Sequence, residues 1–231
     1  MRKLYRLLVV PLLLAAFAGC TVMSIEEEQE RGDQLAVEIS KKEPLIQNPT
    51  AQAHLDAIGQ RIARQTQAER PGQVYHFYLV KNKEVNAFAI PGGHCYVNSG
   101  LIATSENEAE LAAVMSHEIA HVVGRHGVEQ LSRTTFIDSM VQSVFGAPED
   151  GTTANEVGRL AVEILASGGM MQFSQHDELE ADRMGVAYLN GAGYDPLAMT
   201  EFFRKLQNLS SGQSSGLAQF FSTHPLTADR I

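Results

Sequence analysis

The stretch "VMSHEIAHVVGRHG" (residues 114–127) places three histidines and one glutamate in a run that otherwise has the pattern of an apolar helix. Apolar residues recur around it at the spacing of one helix face. They predict a helix over residues 105–126 that begins with a capping box formed by Ser105 and Glu108. Burying a polar side chain without a partner costs roughly 2–7 kcal/mol. The four ionisable residues therefore need partners.

The spacing of His117 and His121 indicates what the partner is. Residues four apart lie on the same side of a helix, so both imidazoles can point at one metal ion. Glu118 is rotated by about 100° from His117 and can instead reach a water molecule on the metal. This is the HExxH pattern of zinc metallopeptidases, in which zinc lowers the pKa of its water to about 7 and the glutamate accepts the proton. The alternative is a pair of core histidines with backbone partners.

A catalytic zinc ion needs a third protein ligand and one open position. In the pattern HExxHxxGxxH the third ligand is a histidine six residues after the second. Here residue 127 is a glycine, and His126 comes one position early. We therefore reject that pattern and expect His126 at the helix end or behind a ligand. The later stretch "DELEAD" (177–182) offers Glu178 as a ligand, and Asp182 can hydrogen-bond a ligating histidine.

The first twenty residues, "MRKLYRLLVVPLLLAAFAGC", are typical of an export signal. A basic start precedes an apolar run, which at about a dozen residues is shorter than the roughly 20 that a membrane-spanning helix needs. The run ends in "FAGC", which resembles a bacterial lipobox with Phe17 where leucine is usual. We expect cleavage after residue 19 and lipid attachment to Cys20. The alternative is a simple signal peptide cleaved nearby, with Cys20 incidental.

Composition sets further limits on function. The 231 residues are 44% hydrophobic and 19% charged, an ordinary globular composition. Acidic residues outnumber basic ones by 27 to 18, so nucleic acid is not expected as a partner. If Cys20 carries lipid, no intrachain disulfide can form, because Cys95 is the other of the two cysteines. Cys95 is expected to be a buried filler, with a reactive thiol as the alternative.

Segment patterns divide the chain into a signal peptide of the lipoprotein type (1–19), an N-terminal tether or surface helix (20–47) and a metallopeptidase domain (48–231). Aromatic and β-branched residues predict strands over 74–80, 85–90 and 95–102. Helices are predicted before these strands and through most of the chain after them. We therefore expect a mainly helical α+β fold with a small sheet.

Four stretches together are more specific than HExxH alone: "VNAFAIPGGHCYVNSGLI" (85–102), "ENEAELAAVMSHEIAHV" (106–122), "ELEAD" (178–182) and "STHPLTADRI" (222–231). With them the chain resembles the gluzincin zinc metallopeptidases of the CAAX prenyl protease and HtpX type, in particular their small soluble periplasmic lipoprotein branch. The likeness covers roughly residues 50–231. It implies a zincin-like metallopeptidase domain whose small β-sheet packs beside the HExxH helix.

The resemblance also implies the roles of single residues. One Zn²⁺ ion per subunit is expected at His117, His121 and Glu178. Glu118 is then the general base. Asp182 is the aspartate of the ExxxD motif, which supports a ligating histidine.

Two further roles follow from the same resemblance. His224, in "THP", is expected either to stabilise the oxyanion or to move onto the zinc and close the site, and a packed turn histidine is the alternative. The strand region 85–98 is expected to offer an edge to which an extended substrate pairs as an added strand. Asn86 and Ala87 would take part through their backbone groups.

These observations predict a zinc endopeptidase that hydrolyses misfolded or misassembled cell-envelope proteins in extended conformation. We expect it on the periplasmic side of the bacterial envelope, as an outer-membrane lipoprotein beside envelope assembly machinery. The alternative is a non-proteolytic or latent chaperone or assembly factor for outer-membrane proteins, against which the retained Glu118 argues. A structural zinc module would need four protein ligands, and only His224 could complete such a set.

Overall fold

The structure of the protein is a computed structural model. It describes residues 23–132 and 173–211, together with residues 217, 220, 221, 224, 225 and 230. The expected signal peptide and Cys20 lie outside the described residues. None of the helices in the described residues has the length and apolarity that crossing a bilayer requires.

Helices dominate the described chain, and a small sheet interrupts them. The elements are α1 (Ile25–Ser40), α2 (Pro49–Ala63), β1 (His76–Val80), β2 (Ala87–Ile90), β3 (His94–Asn98), α3 (Ser99–Thr104), α4 (Glu108–Val123), α5 (Gln175–Gly191) and α6 (Leu197–Ser211). Polar side chains start several helices: Asn48 caps α2, and Ser174 forms a capping box with Asp177 at α5. The expected mainly helical α+β fold is confirmed.

β3 is the central strand of a three-stranded sheet with the order β1-β3-β2. It runs parallel to β1 and antiparallel to β2, with Phe88 opposite Tyr96. Side chains of a strand alternate between two faces. Phe77 and Leu79 therefore join the main core with α2 and α4, whereas Val80, Phe88 and Tyr96 pack against α1. The sheet thus lies between α1 and the main core, with β2 at one edge.

Helix α1 is docked on the protein, although the sequence predicted a tether or surface helix. Leu35 and Ile39 are buried against the sheet. Glu28 is only 1% exposed, and its carboxylate accepts hydrogen bonds from Arg70 at 3.1 Å and from Arg125 at 3.0 Å. A buried charge is tolerated when oppositely charged groups compensate it in this way. The helix is therefore part of the packed fold.

Helix α4 begins later than predicted. Asn107 caps it, because its side chain accepts a hydrogen bond from the N–H of Glu110 at 3.0 Å. Ser105 is not the cap. It ends α3, and its hydroxyl donates to the carbonyl of Leu101 at 3.0 Å. The predicted capping box of Ser105 and Glu108 is therefore wrong, and the helix also ends earlier, at Val123.

The short helix α3 replaces the end of the third predicted strand. The sequence pattern extended that strand to residue 102, but β3 ends at Asn98. The carbonyl of Asn82 accepts hydrogen bonds from the hydroxyl of Ser99 and from the N–H of Gly100, each at 2.8 Å. These two bonds turn the backbone away from the sheet, and residues 99–104 form a helix instead.

Candidate metal centre

Four buried side chains from three parts of the chain converge at one point. His117 and His121 come from α4, Glu178 from α5 and His224 from the C-terminal segment. One donor atom of each lies within 4.8 Å of the other three. None of these residues is more than 3% exposed. The residues that the sequence singled out as metal ligands are thus brought together by the fold.

The spacing of His117, His121 and Glu178 fits tetrahedral zinc. The two Nε2 atoms lie 3.0 Å apart, and oxygens of Glu178 lie 3.5 and 3.4 Å from them. Zinc–ligand bonds of about 2.0–2.1 Å, arranged tetrahedrally, separate the ligand atoms by about 3.3 Å. Two imidazole nitrogens facing each other at this distance cannot both carry protons. A set of two imidazoles and one carboxylate therefore fits Zn²⁺.

The other nitrogen of each imidazole also has a partner. Nδ1 of His117 lies 2.9 Å from Oδ1 of Asp182, and Nδ1 of His121 lies 2.9 Å from Nδ1 of His126. Histidine ligands are commonly held through the nitrogen that does not bind the metal, which fixes the ring orientation. The structure thus brings both Asp182 and His126 behind the ligands.

Two glycines allow these close approaches. A Cβ atom at Gly124 would lie 2.4 Å from Nε2 of His126, so a larger residue would push that ring away from His121. A Cβ atom at Gly185 would lie 3.2 Å from the backbone nitrogen of His117. A side chain there would require a shift of a few tenths of an ångström, so Gly185 allows α5 to pack closely against α4.

Glu118 lies beside the ligands. Its Oε2 accepts a hydrogen bond from the N–H of Ala89 in β2 at 3.1 Å, and its Oε1 lies 3.2 Å from Nε2 of His224. Burial raises the pKa of Glu118, but the surrounding histidines, His224 first, outweigh burial and hold the pKa below its ordinary value. The side chain is therefore an ionised carboxylate that can accept a proton next to the sheet edge.

His224 connects the ligands to that carboxylate. Its Nδ1 lies 3.0 Å from Oε1 of Glu178 and 3.2 Å from Nε2 of His117. Burial lowers the pKa of His224, but the carboxylates of Glu178 and Glu118 outweigh burial and raise the pKa to about 10. His224 can therefore act either as a fourth ligand or as a cation beside Glu118.

Comparison with known proteins identifies the family. The sequence profile of Peptidase family M48 matches residues 49–231. The chain belongs to this family. The resemblance to gluzincin metallopeptidases is thereby confirmed, as is membership of a metalloprotease family, and the donor set of the site fits zinc.

Several known proteins are similar to this M48 chain. The beta-barrel assembly-enhancing protease of Escherichia coli (strain K12) is 35% identical over 222 residues, which cover 93% of this chain and 44% of that protein. Metalloprotease LoiP of the same organism is 32% identical over 163 residues, which cover 69% and 61% of the two chains. Mitochondrial metalloendopeptidase OMA1 of Schizosaccharomyces pombe is 31% identical over 157 residues, covering 68% and 44%. The chain thus spans less than half the length of the first relative.

Arg230 belongs to this M48 site, although it is not among the site residues that the sequence predicts. Its side chain donates two hydrogen bonds to Asp182, at 2.6 and 2.9 Å, and its Nη1 lies 2.7 Å from Oε2 of Glu178. Burial raises the pKa of Asp182, but Arg230 and His117 outweigh burial and lower it to about 2. The one available signal is that Arg230 is the single arginine or lysine of "STHPLTADRI".

The edge of β2 beside the M48 site differs in detail from the expectation. The N–H of Asn98 donates to the carbonyl of Asn86 at 3.0 Å, so the Asn86 backbone is used inside the sheet. Backbone groups alternate in direction along an antiparallel pair, which turns those of Ala87 and Ala89 outward. The outward-facing positions are therefore Ala87 and Ala89, and Ala89 was not predicted. Nothing in the local sequence distinguishes these two directions.

Proposed function

We propose that this protein is a zinc endopeptidase that hydrolyses extended segments of misfolded or misassembled cell-envelope proteins. The observation that carries the proposal is the buried cluster of His117, His121 and Glu178 at ligand spacing, with the ionised Glu118 next to it. A zinc site that only stabilised the fold would need no such base. A peptidase of the M48 family needs both the metal ligands and the base.

Each side chain of the site has its own role in the proposed hydrolysis. The two histidines and Glu178 would hold the metal, which supplies Lewis acidity that makes water a nucleophile near neutral pH. Glu118 takes up a proton on its carboxylate as water attacks the peptide carbonyl, and it can return that proton to the leaving amine. The Nε2–H group of His224 can donate to the carbonyl oxygen as negative charge develops there.

Within the part of the chain that the structure describes, no strand pairs with the outer edge of β2, which supports the choice of extended substrates. A peptide that adds a strand to this edge would pair with the outward backbone groups of Ala87 and with the carbonyl of Ala89. The N–H of Ala89 donates to Glu118, so the paired peptide would cross the general base. Because folded proteins have few unpaired strands, this mode of binding favours unfolded or misassembled chains.

We further propose that lipid on Cys20 anchors the protein at the periplasmic side of the outer membrane, near envelope assembly machinery. The export-type start and "FAGC" support the anchor, and the name of the relative from Escherichia coli, a beta-barrel assembly-enhancing protease, supports the setting. Labelled palmitate should be incorporated into the wild type and not into Cys20→Ser. Equal labelling of the two proteins would refute the anchor.

The proposed activity is tested with three purified, zinc-loaded proteins: wild type, Glu118→Gln and the matched control Glu201→Gln, whose side chain is exposed on α6. Glu118→Gln should retain one zinc ion per chain yet hydrolyse casein about 10²–10⁴-fold more slowly, because an amide cannot accept the proton. Metal content and new peptide termini are measured. Undiminished hydrolysis by Glu118→Gln, or a wild type that binds no zinc, would contradict the proposal.

A latent form of the same enzyme is the second candidate, and the position of His224 favours it. Its Nδ1 is as close to the ligand atoms as they are to one another, so it can act as a fourth ligand and exclude water. His224→Ala separates the two roles. Faster casein hydrolysis by this variant indicates a closing ligand, and slower hydrolysis indicates an oxyanion donor. Unchanged hydrolysis removes His224 from the mechanism.

A further inference from the structure

Helix α1 is fixed to the rest of the protein at its start. The carbonyl of Met23, two residues before the helix, accepts a hydrogen bond from Nη2 of Arg125. In the first turn of α1 the buried Glu28 accepts a hydrogen bond from Nε of Arg125 at 3.0 Å. A Cβ atom at Gly32 would collide with the carbonyl of Pro91, so α1 also lies directly on the turn between β2 and β3. The start of α1 therefore cannot swing away from the end of α4 without breaking these contacts.

This fixed point lies close in sequence to the proposed lipid site. Two residues, Thr21 and Val22, separate Cys20 from Met23. Because an extended chain advances by at most about 3.6 Å per residue, the three steps from Cys20 to Met23 cover at most about 11 Å. Lipid on Cys20 would hold that residue at the bilayer surface. Met23 and the groups that it contacts would then lie close to that surface as well.

The metal centre lies at the same end of the molecule. Arg125 follows the last residue of α4 by two positions, and His121 lies in the last turn of that helix. The turn between β2 and β3, which α1 contacts, also touches Val74, because a Cβ atom at Gly93 would collide with the carbonyl of Val74. The side chain of Val74 is apolar and 52% exposed. A metal ligand and an exposed apolar residue are therefore both near the start of α1.

The beginning of α4 marks the opposite end of the molecule. The helix has 16 residues, so at 1.5 Å per residue it is about 24 Å long. The carboxylate of its first residue, Glu108, lies 3.1 Å from Nε2 of His54 in α2, and both side chains are exposed. His54 is therefore on the side that would point away from a bilayer.

Strand β2 runs from one of these ends to the other. Its last residue, Ile90, pairs with His94 next to the turn that contacts α1, whereas Ala87 pairs with Val97 at the far end of the sheet. A peptide that paired with the outer edge of β2 would follow the same direction. One end of the bound peptide would therefore point towards the anchored side of the protein, as a segment that protrudes from the bilayer would require.

Surface charge does not account for this orientation. The exposed residues at the start of α1 include Glu26, Glu27 and Glu30, and an anionic lipid surface would repel these carboxylates. The orientation would instead follow from the short connection between Cys20 and Met23. It should therefore also occur on a lipid surface without net charge, and it should be lost when the connection is lengthened.

We propose that the end of the molecule formed by Met23, Val74 and Arg125 faces the lipid bilayer, so that the metal centre acts on polypeptide segments close to the membrane surface. The proposal rests on the proposed peptidase function and on the proposed lipid anchor. It specifies their substrate class as chains that are held in the membrane and protrude from it in extended conformation. Proteins free in solution would not be favoured in this way.

Orientation is measured without turnover, with the lipidated full chain on phosphatidylcholine vesicles that contain a headgroup quencher. A fluorophore is attached to Val74→Cys or to His54→Cys, and the buried Cys95 should not react. Quenching at position 74 should be at least about threefold stronger than at position 54, because α4 separates the two ends by about 24 Å. An insertion of about 20 glycine and serine residues after Thr21, which spans roughly 25 Å, is the matched control. It should make the two positions nearly equal.

The outcomes separate the anchor from the orientation. A wild type that does not stay on the vesicles refutes the lipid anchor and this proposal with it. A wild type that stays on the vesicles and is quenched equally at both positions refutes the orientation alone. Quenching at position 74 that disappears at high salt also refutes it, because the contact would then be electrostatic.

Cleavage tests the substrate class. Vesicles carry the wild type or the insertion variant, together with an unfolded chain attached to lipid that has one casein segment about 10 or about 60 residues from the lipid. The wild type should cut the near segment about tenfold faster, since the local concentration of a flexible chain falls roughly as the −3/2 power of its length. The insertion variant should cut the two segments at rates within about threefold of each other. Loss of all cleavage, free casein included, refutes the peptidase function, whereas casein cleavage without a preference for the near segment refutes this proposal.

Discussion

Replacing Asp182 by asparagine tests how the metal centre is held together. Oδ1 of Asp182 lies 2.9 Å from Nδ1 of His117, and both of its oxygens accept hydrogen bonds from Arg230. Asparagine has nearly the same shape but no charge, and its NH₂ group cannot accept a hydrogen bond. We expect the His117 ring to lose its fixed orientation and Arg230 to lose a buried counter-charge.

The size of the effect follows from the pKa of Asp182. Burial raises this pKa, but Arg230 and His117 outweigh burial and lower it from 3.8 to about 2. At about 1.4 kcal/mol for each factor of ten in the dissociation constant, the carboxylate contributes about 2 kcal/mol to folding. Because the pKa is depressed, that stability is complete above the ordinary pKa and is lost as the pH falls towards 2. A melting temperature lower by about 4–8 °C is expected at neutral pH.

Two measurements check this prediction. Calorimetry of the metal-free protein should give the lower melting temperature at neutral pH and a smaller difference near pH 3. Competition with a chelator should show zinc affinity reduced about 10–100-fold. The control is Asp56→Asn on α2, whose carboxylate accepts a hydrogen bond from Gln52 that an amide oxygen can also accept. If Asp182→Asn matches wild type in both measurements, or if the gap widens in acid, the reasoning is refuted.

Three further predictions concern other buried groups. Arg230→Gln should lower the free energy of unfolding of the metal-free protein by about 3–5 kcal/mol in urea titrations, because two buried carboxylates lose their cation; a loss under about 1 kcal/mol would refute the buried pair. Glu28→Gln should make α1 susceptible to limited proteolysis under conditions that leave wild type intact, because two arginines lose their shared carboxylate. Equal digestion of the two proteins would argue that this carboxylate does not hold α1 on the protein. Burial raises the pKa of Cys95 well above its ordinary value, so in Cys20→Ser this thiol should react with iodoacetamide only after unfolding, and rapid labelling of the native protein would contradict its burial.

The convergence of the proposed ligands could be predicted because it follows from a local sequence pattern. His117 and His121 are separated by one helical turn, and that spacing aligns them wherever the helix lies. Glu178 and Asp182 repeat the same spacing on a second helix with a clear cap at Ser174. Pairing the two helices required only that each had one face of small or apolar residues.

The residues that support the ligands could not be predicted, because only tertiary contacts between distant parts of the sequence bring them to the site. Arg230 contacts Asp182 across 48 positions of sequence, and Arg125 contacts Glu28 across 97. No periodicity links such pairs. The outward direction of Ala89 was missed for a different reason, since it depends on which residues of β2 and β3 form the hydrogen-bonded pairs. The amino-acid composition of the two strands is the same whichever residues are paired, so it does not predict the register.

Residues outside the M48 match also support the metal centre. The M48 match begins at residue 49, whereas Glu28 in α1 accepts hydrogen bonds from Arg70 and Arg125. Without α1, Arg70 and Arg125 would keep their positive charges and lose the carboxylate that compensates them. Arg125 follows α4 by two residues, so its repulsion from Arg70 would act on the helix that carries both histidines. We therefore expect a fragment that starts at residue 49 to hold the two histidines less firmly than the chain that includes α1.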